Sequence, residues 1–212
     1  MTDDAPKWRR RKTARPGEIV AAALEVFADK GFAAAKLDDI ARHAGVSKGA
    51  LYLYFETKED IFRAVVRAAI TPNLETVRAA AAAFDGPFAQ LAPMILSRMA
   101  QVIGAGRLAS VAKMVIGESR NFPDLAKIWH DDVVSVAIGM LSDLIARAQA
   151  RGEVRPGDPR LYAFSLAGPL LMGVLFGEVF GAVAAPPDLQ ALAAQHAQTM
   201  LHGMLNAAPT KT

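Results

Sequence analysis

The segment GVSKG, residues 45–49, contains the residue most readily interpreted as a nucleophile, Ser47. Its spacing matches the G-x-S-x-G turn that exposes a catalytic serine between a strand and a helix, and Asp131 and His196 follow in the order used by such hydrolases. That chemistry needs a strand directly before the serine. The residues before Ser47 carry apolar side chains at helical spacing, so we disfavour a helical hydrolase using Ser47.

Other catalytic and metal chemistry finds little support. The chain has no cysteine, which excludes disulfides, thiolate nucleophiles and cysteine–zinc sites. His130, Asp131 and Asp132 are adjacent, but neighbours on a helix point in different directions and are poorly placed to share one metal ion. We therefore predict a binding protein rather than an enzyme, with no metal and no other cofactor.

The composition indicates a folded protein whose excess positive charge lies at one end. Apolar residues make up 52% of the 212 residues, enough for a sizeable core. The net charge of +3 arises within the first 68 residues, which hold 13 Lys/Arg against 10 Asp/Glu. Residues 1–15 are predicted to form a basic arm that neutralises phosphates, or else a solvated tail. Its bases are Lys7, Arg9, Arg10, Arg11, Lys12 and Arg15. The start has no apolar signal core, so we expect a cytoplasmic protein.

Apolar residues recur at helical spacing along nearly the whole chain, which predicts an all-α protein of about nine helices. The first helix is predicted to begin near Pro16 and to stop at Gly31. Thr57 and Asp60 predict a capping box that opens a long fourth helix.

Between these helices lie two short ones joined by a tight turn, a pattern typical of a helix-turn-helix. The first is predicted over residues 37–44 and ends at Gly45. Ser47 is predicted to cap the second, over residues 48–54. Lys48 lies at the start of this second helix, where a side chain reaches deepest into the major groove of DNA.

The run GFAAAKLDDIARHAGVSKGALYLYFETKEDIF, residues 31–62, resembles the DNA-binding domain of the tetracycline repressor (TetR) family. The resemblance covers about residues 16–63 and implies a supporting helix at 37–44 and a recognition helix at 48–54. Residues 64–212 would then form the ligand-binding and dimerisation domain. The positions that match in register are Gly31, Phe32, Ile40, Ala41, Ala44, Gly45, Val46, Ser47, Gly49, Leu51, Tyr52, Tyr54, Phe55, Lys58 and Glu59.

The resemblance also implies phosphate contacts by Tyr52, Tyr54 and Lys58. The sequence departs from the family pattern where it has Ala35 and Lys36, since a hydroxyl residue is usual there, and where Ala50 replaces Thr or Ser. Operator sequence therefore cannot be inferred from relatives. The predicted DNA-binding residues are Lys36, Ser47, Lys48, Gly49, Ala50, Tyr52, Leu53, Tyr54 and Lys58.

A regulator of this kind couples an effector pocket to its DNA-binding domain, so the remaining helices should contain one. Large apolar residues predict a roomy pocket for a small hydrophobic or aromatic effector, although for each residue taken singly ordinary core is the more common role. The candidates are Met94, Met114, Phe122, Trp129, Met140, Phe164, Met172 and Phe176, with Glu118 and His130 as polar groups.

Residues 161–177 carry no charge, which raises the alternative of a membrane-associated helical protein. The stretch is short for a span and contains Pro169. The resemblance to the TetR family implies a dimer interface formed by the last two helices, so we favour a soluble homodimer without membrane contact. Glycines at four-residue spacing predict a smooth interface face in this helix, with the last helix as its partner. The predicted interface residues are Gly173, Gly177, Gly181, Leu192, His196 and Met200. Taken together, the sequence predicts a repressor that effector binding releases from a palindromic DNA operator.

Overall fold

A computed structural model describes residues 11–105 and 108–204, and it contains ten α-helices within those ranges. The π-helical turn His130–Val134 joins the seventh and eighth helices into one continuous helical stretch, Pro123–Ala150. The ten helices therefore form nine continuous helical stretches, which we call rods. The all-α prediction with about nine helices is confirmed. The helices are α1 (Arg11–Ala34), α2 (Leu37–His43), α3 (Lys48–Tyr52), α4 (Lys58–Ala82), α5 (Phe88–Ala105), α6 (Leu108–Glu118), α7 (Pro123–Trp129), α8 (Ser135–Ala150), α9 (Pro159–Phe180) and α10 (Leu189–Met204).

The first helix begins earlier than predicted. It starts at Arg11 and includes Pro16, whereas the sequence placed the start near Pro16. Arginine, lysine and alanine all favour helix, and this extends α1 into the predicted arm. The arm residues Lys7, Arg9 and Arg10 lie outside the described residues.

The three N-terminal helices pack around an aromatic centre. Phe27, Phe32 and Phe62 are almost fully buried, and the Phe32 and Phe62 rings meet edge to face with centroids 5.8 Å apart. Such pairs are favourable beyond their area burial. Ile40 of α2 and Leu51 of α3 are fully buried in the same cluster. The short helices are therefore held mainly by packing, since helices of this length are marginal on their own.

Local capping positions α3 and α4 as the sequence predicted. The Ser47 hydroxyl accepts a hydrogen bond from the Ala50 N–H at 3.1 Å. Thr57 and Asp60 form both hydrogen bonds of a capping box at the start of α4. The recognition helix ends at Tyr52, two residues earlier than predicted.

A second core lies among α5, α8, α9 and α10. Helix α4 joins the two cores, since Ile70 belongs to the first and Val77 to the second. The domain boundary placed at residue 63 therefore falls inside a continuous helix. Residues from α6 and α7, including Val111 and Leu125, pack into the first core. Helices α5 to α10, which we call the body, are thus in direct contact with the helix-turn-helix.

Two rods are long and apolar enough to cross a membrane by length and composition, Pro123–Ala150 and Pro159–Phe180. The bent pair α5 and α6 meets the same test only if it is counted as one span. In the fold, Ile145 of the first rod and Leu170 of the second are fully buried in the second core.

Candidate nucleic-acid interface and effector cavity

The outer face of α3 is exposed along its length. Leu51 is completely buried on the inner side, whereas Tyr52 and Leu53 are exposed, Leu53 by 80%. Lys48 and Gly49 are exposed as well, at the start of the helix. Buried Leu51 and the Ser47 cap hold the helix in place while its other face remains available to a partner.

Lys48 is held at the tip of α3 by an ion pair with α2. Its ammonium lies 2.8 Å from a carboxylate oxygen of Asp38, and both side chains are 56% exposed. The hydrogen bond to Asp38 is the main reason that the pKa of Lys48 is raised above its usual value. The lysine therefore places a positive charge, paired with Asp38, beside the N-terminus of α3.

A second ion pair ties α2 to α1. Lys30 Nζ lies 2.9 Å from Asp39, and Arg42 bonds to the other oxygen of the same carboxylate at 2.7 Å. The hydrogen bond from Lys30 is the largest cause that lowers the pKa of Asp39. The supporting helix α2 is thereby linked to α1 by an ion pair as well as by packing.

The other predicted DNA-binding residues occupy the turns around α3. Lys36 is exposed directly before α2, and Tyr54 is exposed just after α3. Ser47 uses its oxygen as the cap of α3, and Ala50 is half-buried. The exposed members of the set are thus two lysines, two tyrosines, a leucine, a glycine and Ser47 itself.

Lys58 differs from the prediction. Its ammonium donates to the carbonyl oxygens of Phe32 at 2.6 Å, Ala35 at 3.1 Å and Ala33 at 3.4 Å. It also lies 4.3 Å from the centre of the Phe32 ring. Burial lowers the pKa of Lys58. Three bonds use all the N–H groups of an ammonium, so in this structure Lys58 is bound to the turn before α2 rather than presented to a phosphate.

The body contains an apolar cavity of about 220 Å³ between α4, α5, α6, α7, the π-helical turn, α8 and α9, and exposed Phe164 and Leu171 lie where it opens to the surface. Three predicted pocket residues line it: Trp129, Met140 and Phe164. Asn73 is the polar side chain in the wall, and its amide donates to the Ala69 carbonyl oxygen at 3.3 Å. The remaining wall is aliphatic and includes Leu74, Val77, Val102, Ile103, Val133, Ile138 and Leu171.

The other seven predicted pocket residues lie outside this wall. Met94 and Met172 are exposed, Met114 is buried in the first core, Phe122 packs on Phe32 at 5.1 Å, Phe176 packs on Phe180 at 5.3 Å, His130 bonds to Asp131 at 3.0 Å, and Glu118 bonds to the backbone of α1.

The aliphatic lining was missed because Val, Ile and Leu are also the usual residues of a close-packed core. Nothing in the type or spacing of Val102 or Ile103 distinguishes a cavity wall from ordinary packing. The pocket therefore becomes visible only when the helices are assembled.

The glycine face of α9 is used within the subunit. A Cβ at Gly173 would lie 2.9 Å from the side chains of Leu189 and Leu192, and one at Gly177 would lie 3.3 Å from Pro186. Gly181 lies directly after the end of α9. The predicted interface glycines Gly173 and Gly177 therefore allow the segment leading into α10 to approach α9 closely.

The remaining predicted interface residues also join α9 to α10 inside one subunit. His196 Nε2 lies 3.0 Å from the Ser165 carbonyl oxygen, and Leu192 and Met200 pack against the second core. The outward face of α9 is instead apolar and uncovered. Its exposed residues are Leu161, Phe164, Leu171, Met172, Val179 and Phe180.

The residues of the hypothetical hydrolase do not assemble. Helix α2 precedes Ser47 where a strand would be required. Asp131 bonds to Lys127 at 2.6 Å, a contact that is the main cause lowering its pKa to about 2. His196 is bonded to the α9 backbone. No arrangement of nucleophile, base and orienting acid follows from these contacts.

A helix-turn-helix with an exposed, lysine-tipped second helix, packed against a helical body with an apolar cavity, defines a DNA-binding transcriptional regulator. Residues 19–65 match the family model for bacterial regulatory proteins of the tetR family. Residues 93–207, more than half of the chain, match the model for the C-terminal domain of AefR-like transcriptional repressors. The chain belongs to the TetR family.

Several relatives and solved structures share this architecture. The chain is 29% identical over 168 residues to the transcriptional repressor BepR of Brucella suis, covering 76% of this chain and 80% of that protein. It is 29% identical over 157 residues to the fatty acid metabolism regulator protein of Bacillus subtilis, covering 72% and 77%. The fold matches a TetR-family regulator from Mesorhizobium loti with a TM-score of 0.76 and 23% identity, over 92% of this chain and 99% of that one. It also matches Bacillus subtilis FadR in complex with stearoyl-CoA, with a TM-score of 0.74 and 22% identity, over 88% and 98%.

Proposed function

We propose that this regulator is a cytoplasmic, homodimeric repressor that binds a roughly palindromic operator and is released by a small, uncharged hydrophobic effector. The observation that carries the proposal is the exposed outer face of α3, with the exposed Lys48 at its tip. In a helix-turn-helix, the residues at that tip lie closest to the base edges. One α3 per half-site would read the operator in the major groove.

The residues around α3 have the chemistry for separate roles. Lys48 is suited to the acceptors of guanine or to a phosphate, and Gly49 allows the backbone to approach the groove. Lys36, Tyr52 and Tyr54 carry N–H and O–H donors suited to phosphates on either side. Lys58 would join them only by giving up its bonds to the turn before α2, so we assign it a structural role instead.

The chemistry of the cavity supports the effector class. Its wall is apolar apart from Asn73, so a charged group inside it would lose its hydration without gaining a partner. A dry apolar cavity of about 150 Å³ is large enough for benzene, so about 220 Å³ suits a substituted ring or a short chain. A related structure is the complex of the repressor SmeT with triclosan, which is itself aromatic.

The uncovered face of α9 supports the homodimer. Met172 and Leu161 are each 65% exposed, and four further large apolar residues of the same helix are exposed with them. Contiguous apolar surface of this kind marks an interaction site. A second copy of the chain would cover it and bring two recognition helices to one operator.

The proposal is tested by selecting operator sequences from a random duplex library with the wild-type protein. Affinity and sequence preference are then measured for Lys48→Ala and for Lys36→Ala. We expect Lys48→Ala to relax the preference at specific positions, and Lys36→Ala to weaken binding to all sequences alike. Failure of the wild type to enrich any sequence refutes the proposed function, and an unchanged preference in Lys48→Ala refutes the assigned role of that lysine.

A further inference from the structure

A single helical turn connects α1 to the supporting helix α2. Gly31 interrupts α1 with a φ of 75°, and residues 32–35 then form one turn closed by the Ala35 N–H and the Gly31 carbonyl oxygen at 3.3 Å. A Cβ at position 31 would lie 2.6 Å from a carboxylate oxygen of Glu118. Glycine is needed here both for the backbone conformation and for the approach of Glu118. We call residues 32–35 the connecting turn.

Glu118 caps the N-terminal end of the connecting turn although it lies 86 residues from Phe32 in sequence. Its two carboxylate oxygens accept hydrogen bonds from the Phe32 N–H at 2.8 Å and the Ala33 N–H at 2.6 Å. The first N–H groups of a helix have no partner within it, and a carboxylate there is favoured by the local dipole. The carboxylate of Glu118, the last residue of α6, therefore accepts the hydrogen bonds that a nearby capping residue usually accepts.

Lys58 and Phe122 complete the enclosure of the connecting turn. The Lys58 ammonium donates to the carbonyl oxygens of Phe32 and Ala35. The carbonyl groups of a helical turn point toward its C-terminal end, where a positive charge is favoured. The Phe122 ring packs edge to face on Phe32 at 5.1 Å, and the ammonium lies 5.7 Å from its centre. Glu118 ends α6 and Phe122 directly precedes α7, so the body contacts the connecting turn through these two side chains.

The connecting turn leads directly into the supporting helix. Lys36 is the N-cap of α2, and its side chain makes no capping bond. The start of α2 thus depends on the backbone before it, which Glu118 and Lys58 hold in place. Because α2 packs against α3 through the first core, the position of the recognition helix relative to the body depends on the same turn.

Helix α6 connects this contact to the cavity. Ala112 lies in the cavity wall and in the same helix as Glu118, about 9 Å away along the axis. The helix is also tied to α9, where the Lys113 ammonium donates to the Glu178 carbonyl oxygen at 2.8 Å. A shift of α6 on effector binding would therefore move the carboxylate that caps the connecting turn.

We propose that Glu118 is a positioning residue for DNA binding: its carboxylate holds the connecting turn, and thereby α2 and α3, in the DNA-binding arrangement. This inference rests on the proposed function of α3 in binding DNA.

The test compares Glu118→Gln with Glu153→Gln in the full chain. Glu153 is a matched control because it also accepts from the backbone of another helix, the Phe88 N–H at 2.5 Å, but lies beside the second core. The measurements are amide exchange at Phe32 and Ala33, affinity for the selected operator duplex, and affinity for the uncharged dye N-phenylnaphthylamine in the cavity.

For Glu118→Gln we expect faster exchange at Phe32 and Ala33, and DNA affinity lowered by about fivefold, because losing a helix cap commonly shifts a folding equilibrium by about that factor. Dye affinity should stay within about twofold of wild type. Glu118→Asp, which keeps the charge, should recover part of both losses. Glu153→Gln should change neither the exchange at these two amides nor DNA affinity.

Unchanged amide exchange or unchanged DNA affinity in Glu118→Gln would overturn the proposal. So would an equal loss of DNA and dye affinity, since that would indicate general destabilisation. Should the wild type enrich no sequence, the proposed function fails, and the exchange data still decide whether Glu118 holds the turn.

Discussion

The ammonium of Lys48, the first residue of the recognition helix, lies 2.8 Å from the carboxylate of Asp38 in the supporting helix. Both side chains are more than half exposed, so the pair contributes little to stability. DNA can therefore replace the carboxylate at low cost. The same pairing places a negative charge beside the surface proposed to meet phosphates.

Replacing Asp38 by Asn is expected to tighten DNA binding by about threefold, because it removes the competing charge and releases Lys48. Fluorescence anisotropy with the selected duplex over a series of salt concentrations measures the change. Asp143→Asn, on the exposed side of α8, is the control for net charge and should have a smaller effect. Weaker binding by Asp38→Asn would mean that the ion pair orients Lys48 for DNA.

Lys58→Met distinguishes the two roles considered for this lysine. The structure leads us to expect weaker DNA binding with an unchanged salt dependence, because three carbonyls of the connecting turn lose their cation. A direct phosphate contact would instead reduce the slope of log affinity against log salt by about 0.9. Titrations at several salt concentrations, with Lys36→Ala as the reference for a phosphate contact, decide between them.

Filling the cavity with a side chain should weaken the binding of an effector there. Ala137 lines the cavity on α8, so Ala137→Phe places a ring in the space proposed for the effector. We expect affinity for N-phenylnaphthylamine to fall at least about tenfold, as one filled pocket cannot accept a second ring. Ala146→Phe, exposed on the same helix, should bind the dye normally. Equal dye binding by both variants would place the dye site elsewhere.

A charge on the outer face of α9 should prevent dimerisation. Met172→Asp introduces a carboxylate into the apolar surface proposed as the interface, and a buried charge without a partner costs about 3 to 5 kcal/mol. Sedimentation velocity should show a monomer for this variant. Ile116→Asp makes the same kind of change at an exposed apolar residue of α6 and should leave the dimer intact. A dimeric Met172→Asp would exclude this face.

The DNA-binding segment could be predicted from the sequence because its signals are local. The Ser47 cap, the Thr57 and Asp60 capping box and the burial of Leu51 all depend on residues within one or two helical turns. Helical periodicity and capping operate over the same short distances. For that reason the sequence alone predicts both the fold class and the family.

Contacts between distant parts of the chain were decided only by the tertiary structure. Glu118 lies 86 residues from Phe32 in sequence, yet its carboxylate caps the turn that begins there, and it was predicted to line a pocket. The glycines of α9 were assigned to a partner chain but pack within the subunit, at Gly173 against Leu189. Residue type and periodicity tell which side of a helix is buried, but the neighbour that buries it depends on how all the helices pack together.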